Sequence, residues 1–223
     1  MKTKWMSLFA VITLVTITLS CKDEKKHETE ATTAEEVKAA PETAVMYHVS
    51  DSESSIEWTG SKPAGKHSGT IKLLSGSFEV KSGNIESGSF IIDMTSINVT
   101  DLEGDDKAYL EGHLRGEGEG KEDHFFNVAK FPKATFEVTG VSEKEGKTVL
   151  AGNLTIKGVE KNISFPVNVS DNGDTYVISS DIFTIDRTQW GVNYGSKSIF
   201  ENLGDKFIND DIELKISVTA KKA

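Results

Sequence analysis

The chain has 223 residues, 27% of them charged, a formal charge of −10 and 37% hydrophobic residues. An acidic chain without clustered Lys and Arg excludes nucleic acid as a partner, because phosphate recognition rests on such clusters. A single cysteine, Cys21, excludes a disulfide framework.

In chain order, Lys2 and Lys4 precede the apolar run "LFAVITLVTITLS". That run has the length of a signal h-region and falls short of the ~20 residues a membrane-spanning helix needs. It ends at "TLSC", and the position of Cys21 resembles a bacterial lipobox, with Thr18 where that motif prefers Leu. The resemblance implies a lipoprotein signal peptide over 1–20, lipidation of Cys21, and a lipid-anchored place in the cell envelope. That place is the outer membrane, facing the periplasm or the cell surface. The following "CKDE" resembles the Lys-acidic-acidic signal of surface-exported lipoproteins in Bacteroidetes-type bacteria. Residues 22–44 hold no aromatic side chain and dense mixed charge. Such a segment buries too little apolar area to offset its ordering entropy, which predicts a disordered tether over 21–45.

Residues 46–222 are long enough for one domain with a sizeable core. Their dominant period is two: Ile56/Trp58, Phe78/Val80, Phe90/Ile92/Met94, Phe136/Val138, Leu154/Ile156, Ile163/Phe165/Val167 and Ile212/Leu214/Ile216/Val218 alternate with polar neighbours. This predicts strands with one apolar face, separated by turns at 82–84, 144–147, 157–162 and 171–174. From Thr95 to Lys133 the alternation stops. "DDKAYLEGHL" has helical spacing at Ala108, Leu110 and Leu114; "GEGEGKED" (116–123) reads as a surface excursion; "HFFNVAKF" reads as a short helical turn ending before Pro132. About eight strands with one apolar face close either as a two-sheet sandwich or as a barrel, and periodicity leaves both open.

Motifs for chemistry are missing from the sequence. The histidines, of which His67 and His113 stand out, lack the spacing of an HExxH metal site, and there is no GxSxG elbow. "GEGEG" follows a helical pattern instead of a strand and is itself acidic, which opposes phosphate. "DLEGDD" (101–106) has its glycine two positions early for a calcium loop. The reading is a protein that is not an enzyme, with no cofactor and no metal.

One resemblance sharpens this. His113–Leu114, Asp123/Phe125/Phe126, Phe131–Pro132, Thr135–Phe136 and Gly152/Leu154/Thr155/Gly158/Val159/Lys161 follow, in order and spacing, the pattern of the YceI-like polyisoprenoid-binding family. "SFEV" and "IDRTQWGVNYG" (185–195) are similar as well. "GEGEGKE" lengthens the link before the Phe-Phe pair, and His124 interrupts the Asp-Phe-Phe motif. The resemblance implies an all-β, lipocalin-like antiparallel barrel of about eight strands with a short helical excursion across one end. It further implies an interior that holds a polyisoprenoid or similar long-chain lipid.

The phase of the alternation then predicts that Trp58, Phe90, Phe136, Leu154, Ile156, Phe165 and Phe183 line the lumen. Phe125 and Phe126 flank its opening, and Arg187 is the candidate partner of an anionic headgroup. The alternative is a structural or interaction lipoprotein whose barrel is filled and takes no ligand.

Overall fold

The computed structural model describes residues 29–223. The expected signal segment, Cys21 and the first part of the charged segment lie outside these residues. Ten strands and one α-helix follow: β1 Val45–Val49, β2 Ser55–Lys62, β3 Gly65–Lys81, β4 Asn84–Val99, α1 Gly104–Arg115, β5 Lys133–Lys144, β6 Lys147–Ile156, β7 Val159–Asp171, β8 Thr175–Ser180, β9 Phe183–Asp186 and β10 Asp211–Lys222. All pairings are antiparallel between neighbours. The order β10-β2-β3-β4-β5-β6-β7-β8 returns to β10 and closes an eight-stranded barrel. Closure decides between the two arrangements that alternation left open.

Three of the two-residue hairpin turns, Ser82–Gly83, Glu145–Gly146 and Lys157–Gly158, have both residues at positive φ. Two left-handed residues match the right-handed twist of the flanking strands, which is why glycine stands second in each. The pairing register puts Phe90 opposite Phe136 and Phe136 opposite Leu154. Ile56 faces Ile71, and Leu214 faces Trp58. The inward positions thereby form one apolar face around the lumen, including Phe78, Phe90, Leu150 and Phe165, all buried.

Helix α1 lies across one end of the barrel. Glu111 accepts the Val99 N–H at 2.8 Å, and Arg115 Nη1 donates to the Ile97 carbonyl at 3.3 Å, which fasten the helix to the end of β4. The expected short helical turn at 124–131 is confined to its second half, 127–131, and ends before Pro132. Asn127 takes φ 47°, which breaks helical continuity, and a single turn follows in which Phe131 N–H donates to the Asn127 carbonyl at 2.9 Å.

The wall has a seam. β7 pairs with β8 only over Val167–Asp171, and β9 pairs only with β10, so no ladder joins the first half of β7 to β9. Residues 29–35 lie there. Thr29 N–H donates to the Thr184 carbonyl of β9 at 2.9 Å, and Thr32 exchanges two backbone hydrogen bonds with Asn162 of β7. Glu35 exchanges two more with the Asn153 side chain of β6, at 3.0 and 2.7 Å. Asn162 Nδ2 in turn donates to Asn153 Oδ1 and Thr139 Oγ1, both at 2.9 Å. This corrects the expectation of a disordered tether as far as 29–35 is concerned. Backbone pairing and amide side chains hold the segment, with Ala31 packed on the core, so apolar burial of its own sequence is a small part of what orders it.

Candidate functional site

The inward faces leave three cavities in axial succession, each sharing lining residues with the next. At the α1 end, a mouth cavity of about 540 Å³ is bounded by β2, the start of β3, α1, Phe125, Phe126, Tyr194 and the 206–212 stretch. Below it lies a neck of about 90 Å³ that shares Trp58, Leu114, Phe126 and Ile212 with the mouth. Every neck-lining residue is apolar, among them Met94, Leu154 and Ile156. Deepest is a cavity of about 50 Å³ lined by Phe90, Phe136 and Phe165, with Ser180 its one polar residue.

Trp58 is set by its partner strand. It sits opposite Gly69, and a Cβ at Gly69 would come within 2.6 Å of the indole and 2.0 Å of the Asn98 carbonyl oxygen. Glycine is what lets the ring lie across β3. Leu154 and Ile156 line the neck, and Phe90, Phe136 and Phe165 the deep cavity, each on the face its strand phase requires. Phe183 departs from the expectation. It is buried in the same core and stacks face to face on Phe165, centroids 4.2 Å apart and planes within 2°, but does not border the three lumen cavities.

Phe125 and Phe126 do reach the mouth. Phe125 is buried in a cluster with His113 (5.1 Å, edge-on) and Tyr194 (5.5 Å), and Phe126 reaches down into the neck. His113 Nε2 and His124 Nδ1 are hydrogen-bonded at 2.9 Å, and Tyr194 stacks on His124 at 4.2 Å. This cluster joins α1, the 116–132 segment and the 191–210 segment at one side of the mouth. Burial holds the His113 pKa below the ordinary histidine value, with the His124 and Lys121 charges adding to that. On the opposite side His67 pairs with Asp101 at 2.9 Å. No group of three or more His, Cys, Asp or Glu is arranged to hold a metal among the described residues.

Arg187 borders the mouth cavity but is only 2% exposed. Its guanidinium donates to the carbonyls of Val192, Ile208 and Asn209, with Asp210 Oδ1 at 3.6 Å. Burial lowers its pKa, opposed by Asp210 and then Asp186. The fold therefore uses this arginine to fasten the two ends of the 191–210 segment. Periodicity does not reveal the His113–His124–Tyr194 cluster, because its members are joined only in three dimensions. Its local signals are the family-like His113–Leu114 pair, the His124 interruption and Tyr194 within the family-like 185–195 stretch.

Residues 47–220 match the family model described as the YceI-like domain. Proteins YceI of Salmonella arizonae and Salmonella newport are 32% identical over 108 residues, covering 48% of this chain and 50% of each relative. The chain thus spans about half the length of the curated relatives it matches. In fold, the chain is similar to Burkholderia cenocepacia BcnA, with a TM-score of 0.61, 22% identity, and coverage of 78% of this chain and 99% of that one. It is also similar to a polyisoprenoid binding domain from Saccharophagus degradans implicated in plant cell wall breakdown. There the TM-score is 0.56, with 14% identity and coverage of 80% and 99%. Both likenesses establish the barrel fold.

Proposed function

The chain belongs to the YceI-like domain family, and from that membership we propose that it is a non-enzymatic carrier or reservoir for a polyisoprenoid or similar long-chain lipid. The observation that carries this reading is the mouth cavity of about 540 Å³ continuing into a neck lined by apolar side chains alone. The mouth falls within the roughly 300–1,000 Å³ of ligand pockets. A chain entering the neck gains about 25 cal/mol for each Å² of apolar surface taken from water.

Size governs how it enters. The neck and deep cavity, about 90 and 50 Å³, are smaller than the roughly 150 Å³ of an apolar cavity that takes up benzene. An entering chain must therefore displace side chains. Met94, with its pliable thioether, and Phe126 at the neck are the ones placed to give way. The lipobox-like Cys21 extends the proposal to a lipid-anchored protein of the cell envelope.

Extraction of the purified protein with organic solvent, followed by mass spectrometry, is expected to release a long-chain lipid. The small deep cavities favour the second reading, a filled barrel that takes no ligand. Protein free of lipid, and unable to take up an added isoprenoid, would establish that reading in place of the carrier.

A further inference from the structure

We propose that residues 29–35 are a releasable strap, and that the gap they fill between β7 and β9 is a second, lateral entrance through which a lipid chain reaches the deep lumen. The inference rests on the lipid-binding reading and adds to it a route that bypasses the neck.

Where β7 and β9 face each other without a ladder, two closures take its place. The inner one is a pair of rings, Phe165 from β7 and Phe183 from β9, stacked with centroids 4.2 Å apart. The outer one is the strap. Thr29 donates to the carbonyl of Thr184, next to Phe183, and shares a cavity of about 220 Å³ with Ser164, Pro166 and Phe183. Phe165 in turn lines the deep cavity. The stacked pair therefore stands between an outer cavity that the strap covers and the innermost part of the lumen.

The fastening suits release. The strap makes one isolated bridge with β7, Thr32 to Asn162, whereas β6 pairs with β7 residue by residue from Val159 to Val167. Ala31 is the strap's one apolar side chain packed on the core. Segments with few backbone bonds and little buried apolar area are those that open locally while the rest stays folded. Lifting the strap also spares the wall's own polar network. Asn162 Nδ2 keeps its bonds to Asn153 Oδ1 and Thr139 Oγ1, and water takes the place of the Glu35 backbone at the Asn153 amide. Stacking alone then holds Phe183 on Phe165, and parting the two rings opens the deep cavity to the side.

The test locks the strap. Thr32→Cys with Asn162→Cys places two thiols on opposed residues, in a Cys21→Ser background that leaves no other thiol. Stopped flow follows the uptake of retinol, a fluorescent isoprenoid alcohol, from phosphatidylcholine vesicles by the same variant oxidised and reduced. Oxidation is expected to slow uptake and release alike, by roughly tenfold or more, with equilibrium affinity unchanged, because the lock shuts a way in and leaves the site alone. Asn153→Asp needs no disulfide and decides the matter where none forms. It keeps the acceptor for the Glu35 N–H but loses the donor to the Glu35 carbonyl. Loss of that one hydrogen bond is expected to speed uptake roughly fivefold. Equal rates in the oxidised and reduced forms, or an Asn153→Asp rate equal to that of wild type, overturn the lateral entrance and leave the mouth as the route. If wild type takes up no retinol at equilibrium and yields no lipid on extraction, the carrier reading itself fails, and this inference with it.

Discussion

Replacing Phe136 with alanine separates a lumen that opens for a chain from one that is permanently filled. Phe136 is 8% exposed, tilts against Phe90 and Phe165 with centroids at 6.3 and 5.8 Å, and lines the deep cavity. Its ring lies so close to β6 that a Cβ at Gly152 would sit 2.3 Å from Cζ, so no side chain on that side can move in to fill the space. Phe→Ala in a core costs about 3–5 kcal/mol when the site cannot collapse. For a domain of this size that corresponds to a fall in Tm of about 10 °C. The assay is thermal unfolding of wild type and Phe136→Ala, alone and with a graded series of isoprenoid alcohols. In a carrier, the vacated volume joins the existing deep cavity and a longer chain reaches it. The variant should then recover much of the lost stability with a longer alcohol than the one wild type prefers. A variant destabilised as predicted, yet stabilised by no alcohol beyond the wild-type optimum, would refute the threading of the chain into the deep lumen.

Two further outcomes follow. Burial, the neighbouring His124 and Lys121 hold the His113 pKa below the roughly 6.5 of an unfolded chain, so the unfolded state binds the proton more readily. His113 therefore favours the folded state fully above that value and loses the contribution as pH falls towards its own lowered pKa. The groups around the pair are His124, Tyr109, Lys121 and Tyr194, with Arg187 behind Phe125. Melting curves from pH 5 to 8 should show Tm climbing with pH in wild type and a shallower climb in His113→Gln; identical slopes would remove His113 as the cause. Cys21→Ser should move the protein from the membrane fraction to the soluble one on cell fractionation, and retention equal to wild type would rule out the lipid anchor.

Inward positions were legible because one strand face reports the environment of every second residue. Trp58, Phe90, Phe136, Leu154, Ile156 and Phe165 all fall on the predicted side, and the helix at 104–115 follows its periodic Ala108, Leu110 and Leu114. Phe183 shares that phase and is buried in the same core, where its ring covers Phe165 instead of bordering a lumen cavity. Arg187 illustrates a second limit. Charge predicts exposure, yet three backbone carbonyls brought together by the 191–210 segment make burial tolerable. Segment 29–35 illustrates a third. Its hold on the barrel comes from backbone pairing at a wall gap and from Asn153, and neither has a hydrophobic signature in the segment itself.

That fastening shortens the leash. Measured to the first strand, Cys21 would trail a span of more than 80 Å of extended chain; measured to Thr29, it trails about 28 Å at most. Thr29 is moored to Thr184 in the wall, beside Ser164, Pro166 and Lys147. An acyl group on Cys21 would therefore hold the barrel to the bilayer by the side of its wall, allowing it to pivot but not to drift. From Glu35 back to Thr29 the segment runs along β7 away from the mouth, so such a leash leaves the wall on the side of the β5–β6 turn.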